Sequence, residues 1–238
     1  MKILIIDQCS GSKDYPDESP VFDADEIDAQ PREELFEQEE GVARLRARNL
    51  YKGRQQQYIS GAVDALREAG HEVDRYFISA GFGLVEENEE LPPYEVTFNE
   101  MSNEELLNRR AKLGIPQSVR ELLAVEKPYD IVFFALGSKY YLSMEVEEIM
   151  SEIPSGTWGV FFNQEEVANG REDLISISAR TEEAKENGSI VVALKGTFLK
   201  NFASNLSAGN TIEAISDIED FCTSEPTAQL DFKQFNNS

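Results

Sequence analysis

Lys2-Ile3-Leu4-Ile5-Ile6-Asp7-Gln8-Cys9-Ser10-Gly11-Ser12-Lys13-Asp14-Tyr15-Pro16 is the stretch that decides the fold. Residues 2–6 form a short apolar run that reads as a buried strand. The turn after it holds a thiol (Cys9), two hydroxyls (Ser10, Ser12) and an amine (Lys13). Loops at strand C-termini are where open α/β sheets bind ligands. A lysine four residues after a cysteine, on a Gly/Ser turn, suits anion or nucleobase handling better than packing. The plain alternative is a solvated loop with Cys9 as a small buried hydrophobe.

Strand-like runs rich in Val, Ile and Phe recur at residues 73–79, 131–136, 159–162, 174–177 and 190–194. Helical patterns lie between several of them. Residues 42–69 can face a core with Leu45, Leu50, Ile59, Val63 and Leu66, and Gly70 stops that pattern. Residues 103–126 read as helix with a break at Gly114-Ile115-Pro116; 139–153 and 210–221 are further helices. The alternation predicts an α/β fold with a mostly parallel sheet and helices on both faces. It is read as one domain over residues 1–222, with a polar, frayed tail at 223–238. Residues 17–40 form an acidic insertion after the first strand. They hold eleven acidic residues against Arg32 alone, which predicts a largely irregular excursion.

The chain has 238 residues, 45 of them acidic and 22 basic, for a formal net charge of −23. Nucleic-acid binding depends on Lys and Arg releasing counterions, so this charge opposes it in ordinary buffer. Acid-rich surfaces suit a halophilic source, because molar salt shortens the Debye length to about 3 Å and screens self-repulsion. A single histidine, His71, excludes a histidine-rich metal site and leaves little for a Ser-His-Asp triad. Cys9 and Cys222, at opposite ends of the chain, read as thiols. Met1 leads straight into the strand with no secretory pattern, and the longest apolar run is too short for a bilayer. The expectation is a cytoplasmic protein with no membrane partner, no cofactor and no metal.

Two further strand ends carry chemistry. Ser79-Ala80-Gly81-Phe82-Gly83 passes through two glycines that let backbone amides approach a ligand, and Pro92-Pro93-Tyr94 stiffens a returning loop that presents a phenol. Gly137-Ser138-Lys139-Tyr140-Tyr141 places Ser138 to cap the following helix and Tyr140 as a stacking face. Three such ends of one sheet would converge on one edge. Arg48, Lys52 and Arg54 are suited to a phosphate or to the carboxylates of residues 17–40. Arg109, Arg110 and Lys112, before Gly114-Ile115-Pro116, are the best candidates for gripping a nucleic-acid backbone.

In order, KILII, SKDYPDESP, NLYKGRQ, FISAGFGLVEENEELPPYEVTF, IVFFALGSKYYLSM and GTWGVFF resemble the landmarks of the YaaA-like proteins, a peroxide-stress family with small Cys-x-x-x-Lys relatives. The resemblance covers residues 1–162. Lys13, Asp14, Tyr15, Ser19 and Pro20 match the first landmark with shifted spacing, and Tyr51 and Gly53 match its Tyr-x-Gly. Ser79, Gly81, Gly83, Leu84, Pro93, Tyr94, Ser138 and Tyr140 match the later ones. The resemblance implies a YaaA-type fold with a deep cleft and a link to DNA protection under peroxide stress. Cys9, Ser10 and Lys13 are also similar to the Cys-x-x-x-Lys segment of archaeosine synthase, whose lysine attacks the nitrile of a deazaguanine base.

The expected function is action on a nucleobase or nucleotide in nucleic acid. Lys13 would be nucleophile or anchor, with Cys9 tuning its surroundings. Ser79 and Ser138 would donate hydrogen bonds, Tyr94 and Tyr140 would stack on the base, and Ser10, Ser12, Tyr51, Gly81 and Gly83 would line the cleft. The alternative is a non-catalytic stress-response protein that binds nucleic acid or a partner.

Overall fold

A computed structural model describes residues 1–38 and 40–225. Lys2–Gln8 is β1, and its apolar residues are buried on both faces: Leu4 and Ile6 in one core, Ile3 and Ile5 in the other. Such a run needs a strand on each side. It has β3 (Glu72–Ser79) on one edge and β6 (Ile131–Ala135) on the other, both parallel to it. After β6 come β7 (Trp158–Phe162) and β8 (Leu174–Ile177), also parallel. A hairpin through Gly81 returns β4 (Gly83–Glu86) antiparallel to β3. The sheet order is β4-β3-β1-β6-β7-β8, and β2 (Leu45–Arg46) pairs separately with β5 (Glu90–Leu91). The chain steps to one side of β1 and later to the other, so the crevice at the C-terminal ends of β1 and β6 is the topological switch point.

Helices cover both faces. On one side α4 (Arg54–Glu68) and α11 (Leu194–Ser207) bury Ile59, Val63, Leu66, Phe198 and Phe202, with α12 (Ile215–Thr223) behind them. On the other lie α5 (Asn103–Leu113), α6 (Ile115–Leu123), α7 (Ser138–Met144) and α8 (Val146–Glu152). Phe134 and Phe161 stack at 4.7 Å in that second core. Each such side chain, fully buried, stabilises the fold by about 1.5–3 kcal/mol. Short helices α9 (Glu165–Ala168) and α10 (Thr181–Glu186) flank β8.

Several sequence expectations need correction. Residues 17–40 are not largely irregular. They form α1 (Ala24–Ala29) and α2 (Arg32–Gln38), and the Asp23 side chain accepts from the Asp25 and Glu26 amides as a capping box. Phe22, Ile27 and Leu35 give this acidic segment a buried face that its composition conceals. The 42–69 helix is interrupted: β2 and α3 (Ala47–Leu50) precede an extended Tyr51-Lys52-Gly53 before α4 begins. Residues 190–194 are no strand. Ile190, Val191 and Val192 are exposed, Val192 by 73 %, in a 3-10 turn leading into α11, where the apolar residues recur at helical spacing.

The 139–153 helix divides at Glu145, which sits at φ 57°. The last helix begins at Ile215 rather than 210. The break at Gly114 is where the sequence places it, in a left-handed turn at φ 61°. Of the expected tail, Thr223 still belongs to α12, and residues 226–238 lie outside the described residues. Among the described residues no helix is long and apolar enough to cross a membrane.

Candidate functional site

The ends of β1 and β3 do converge. Beyond β1 the Cys9 amide still bonds the Ile78 carbonyl (3.0 Å), which carries the thiol into the core between the two strands. The next residues fold back along Leu50-Tyr51-Lys52: Lys13 and Tyr51 form an antiparallel bridge, the Asp14 amide donates to Leu50 O, and Lys52 N donates to Ser12 O. That strap turns the Lys13 side chain inward, leaving 1 % of it exposed. Its Nζ lies 4.5 Å from the centroid of the Tyr94 ring and 3.9 Å from Glu95 Oε2, and it makes no hydrogen bond.

Tyr94 is delivered by the Pro92-Pro93 turn, which pairs with Phe22 through Phe22 N to Pro93 O and Glu95 N to Phe22 O. Its hydroxyl lies 2.7 Å from Ser79 Oγ and 2.7 Å from the Tyr51 hydroxyl. Proton counting orients this chain. Ser79 Oγ accepts from the Gly81 and Phe82 amides (3.1 Å each), so its proton goes to Tyr94, and the Tyr94 proton goes to Tyr51. The Tyr51 proton is left to donate onward. On the other side, Tyr140 donates to Cys9 O (3.3 Å), and its hydroxyl lies 3.1 Å from the Cys9 thiol. Burial is the main cause holding Tyr51, Tyr94 and Tyr140 above the usual phenol pKa, and Cys9 adds to the shift of each. The three phenols are therefore neutral donors.

Glycine is required at two positions of the β3–β4 turn. A Cβ on Gly81 would lie 2.7 Å from the Tyr94 ring, and Gly83 has φ 77° with Leu113 O 3.1 Å from where its Cβ would be.

Other expected site residues stand apart. Ser10 is buried, but its hydroxyl braces the turn by donating to Ser12 O; Ser12 itself is exposed. Ser138 does not cap α7 and does not reach the cluster. Gly137 occupies the capping position, and Ser138 is the exposed first residue of the helix. Tyr94 and Tyr140 are 0 % and 1 % exposed, with Phe82 and Phe98 meeting their rings edge-on, so neither has a face open to a base in this conformation.

The cations of α5 are engaged internally. Arg109 braces the Ala80-Gly81 loop through both carbonyls and pairs with Asp28 (2.7 Å), and Lys112 pairs with the same carboxylate. Arg110 is held by Glu145 (2.6 Å) and Leu142 O. They clamp the acidic insertion and the α7–α8 turn instead of forming an open basic face. Nor, among the described residues, does the 17–40 segment take up Arg48 or Lys52. Arg48 pairs with Asp64 and Glu87, and Lys52 with Asp14.

Sequence reasoning missed a second polar group on the opposite face of β1. Asp7, fully buried, accepts from Arg75 (2.7 Å), Gln55 (2.8 Å), the Gln8 amide (2.8 Å) and Gln56 (3.3 Å). Arg75 also donates to Ser60 and to Gln56 O. Arg75, at an inward position of β3 between Val73 and Phe77, was the available signal. Nearby, Lys195 at the start of α11 donates to Leu136 O (2.6 Å), and burial brings its pKa down to about 8 against the pull of Asp7. Cavities of about 260 Å³ beside Arg110, Tyr141 and Glu145, and about 540 Å³ beside Met150 and Gln164, lie away from both groups. No family model, no curated protein and no solved structure matches this chain.

Proposed function

We propose that this chain is a YaaA-like protein that acts on a nucleobase or nucleotide in nucleic acid, with Lys13 as the reacting or anchoring amine. One observation carries the reading: the Lys13 amine is buried and has no hydrogen-bond acceptor. Leaving a buried polar group unpaired costs about 1–3 kcal/mol, which a ligand that supplies the acceptor would recover. Around it lie the Tyr94 ring face at 4.5 Å and the Glu95 carboxylate at 3.9 Å, and the Tyr51 hydroxyl, bonded to that of Tyr94, keeps a proton that matches a carbonyl oxygen or ring nitrogen of a base. Access would run past Glu95, whose side chain is 55 % exposed and also holds the Tyr15 hydroxyl at 2.8 Å. The strap of residues 10–16 is also held by the Lys13–Tyr51 bridge and by the Asp14 N to Leu50 O and Lys52 N to Ser12 O bonds, so uncovering the Tyr94 face would require these to open together with the Tyr15–Glu95 contact.

The test is covalent trapping in molar KCl, which screens the charge of −23. An abasic-site oligonucleotide presents an aldehyde; a lysine amine condenses with it, water leaves, and borohydride reduces the imine to a stable amine. The expected adduct maps to Lys13 by mass spectrometry and disappears in Lys13→Ala. An adduct of equal yield in Lys13→Ala would overturn the reading. A non-catalytic binding protein is the second reading, favoured by the closed packing of Tyr94 and Tyr140. It would be recognised by nucleic-acid affinity that survives Lys13→Ala where no adduct forms in either protein.

A further inference from the structure

Between the C-terminal ends of β1 and β6 three side chains offer donors with no acceptor among the described residues. Gln8 Oε1 accepts the Gly137 amide at 2.6 Å, which fixes the orientation of the side-chain amide and leaves Gln8 Nε2 directed away with no partner. Lys195 reaches the same peptide from the other side. Its Nζ donates to Leu136 O and forms no ion pair among the described residues, so two of its three N–H groups are unused. Ser138, the next residue along, is exposed with an unbonded hydroxyl. Asp7 is the nearby carboxylate, but it already accepts from Arg75, Gln55, Gln56 and the Gln8 amide.

We infer that these three side chains form an oxyanion site, in which Lys195 supplies the charge and Gln8 Nε2 and Ser138 Oγ supply hydrogen bonds to a phosphate or carboxylate group of a small ligand. Each of the three offers a free N–H or O–H, the Ser138 hydroxyl being able to accept as well, and Lys195 brings a positive charge with no ion pair among the described residues, so the complementary ligand is an anionic acceptor. The position follows from the fold, since the switch point of an open parallel sheet is where the strand ends part and leave room. Gln8, Gly137 and Lys195 are partly exposed, so these groups are reachable from solvent without moving the Lys13 strap. The site stands or falls independently of chemistry at Lys13.

The experiment is calorimetric titration of the full chain with inorganic phosphate and, separately, with acetate, at constant molar KCl. Saturable binding of at least one probe is expected, and the tighter of the two assigns the class. Lys195→Met keeps the aliphatic stem and should weaken that binding at least tenfold, whereas Lys200→Met, the same charge change further along α11, should leave it within twofold. Gln8→Glu retains the acceptor for Gly137 and puts a carboxylate oxygen where Nε2 stood, so it should abolish binding even if Lys195→Met folds poorly. No saturable binding of either probe, or equal affinity in wild type and Gln8→Glu, would overturn the assignment.

Discussion

The two faces of β1 carry polar groups built on opposite terms. On the α4–α11 face, Asp7 is saturated: both oxygens accept, and three of its four donors are side chains held by α4 and β3. On the other face, the Lys13 amine is as deeply buried yet has no hydrogen-bond acceptor, its neighbours being the Tyr94 ring at 4.5 Å and a Glu95 carboxylate oxygen at 3.9 Å. A carboxylate with every lone pair used helps specify one packing and has none to offer a ligand, although Arg75 Nε beside it is itself a buried donor without a partner. A buried amine without an acceptor adds little to the fold and is available for binding. The contrast locates structure in Asp7 and Arg75 and function in Lys13, although all of these residues lie on or beside the same two strands.

Removing one partner of the saturated network should have the largest effect. Arg75→Met leaves the Asp7 carboxylate buried with only amide donors, and breaking such a pair costs about 3–5 kcal/mol. Chemical denaturation should show a matching fall in midpoint, and adding Asp7→Asn to the same chain should restore part of the loss. A loss of about 1 kcal/mol or less, the range of an exposed pair, would place Arg75 outside the structural core and erase the contrast.

A smaller effect tests Lys195, which sits on the saturated face without belonging to its network. Burial lowers its pKa from 10.5 to about 8. Below pH 8 both folded and unfolded chains hold this proton, and the cost of burying the charge is fully present. As pH rises toward 10.5 the folded chain releases the proton first, the unfolded chain binds more, and stability increases. Tyr51, Tyr94 and Tyr140 act in the opposite sense, because folding favours their protonated forms; that stability is lost only as pH passes the usual phenol value of 10. Between pH 8 and about 9.5 wild type should therefore gain roughly 1.5 kcal/mol relative to Lys195→Met. Parallel pH curves for the two proteins would show that the Lys195 amine is not desolvated.

Much of this geometry was legible in the sequence, for a physical reason. The strands β1, β6, β7 and β8 are mainly apolar runs, since both faces of a parallel sheet are covered, and the polar ends of the sheet's strands must gather on one edge. That rule brought Cys9, Lys13, Ser79, Tyr94 and Tyr140 together correctly. It failed for Ser138, because the first residue of a short helix points out when glycine takes the cap. The apolar run at 190–194 was misread because a short apolar segment has no period of its own. Asp7 and Arg75 are 68 positions apart, and Lys195 and Leu136 are 59 apart. Their meeting depends on strand register and on where α11 crosses the sheet, which no local pattern encodes.

The smallest expected change in stability is the most decisive for the comparison. Lys13→Met removes an amine that makes no hydrogen bond. It forfeits a cation–π contact with Tyr94, worth about 0.5–2 kcal/mol depending on desolvation, and a 3.9 Å approach to a half-exposed Glu95, worth about 0–1 kcal/mol. It also relieves the desolvation of an unpaired group, about 1–3 kcal/mol in the other direction. The terms nearly cancel, so the denaturation midpoint should stay within about 1 kcal/mol of wild type while trapping on an aldehyde is lost. A drop of 3 kcal/mol or more, as for Arg75→Met, would mean that Lys13 holds the strap in place as a structural member. The two faces of β1 would then differ in composition but not in purpose, and the case for chemistry at Lys13 would lose its physical basis.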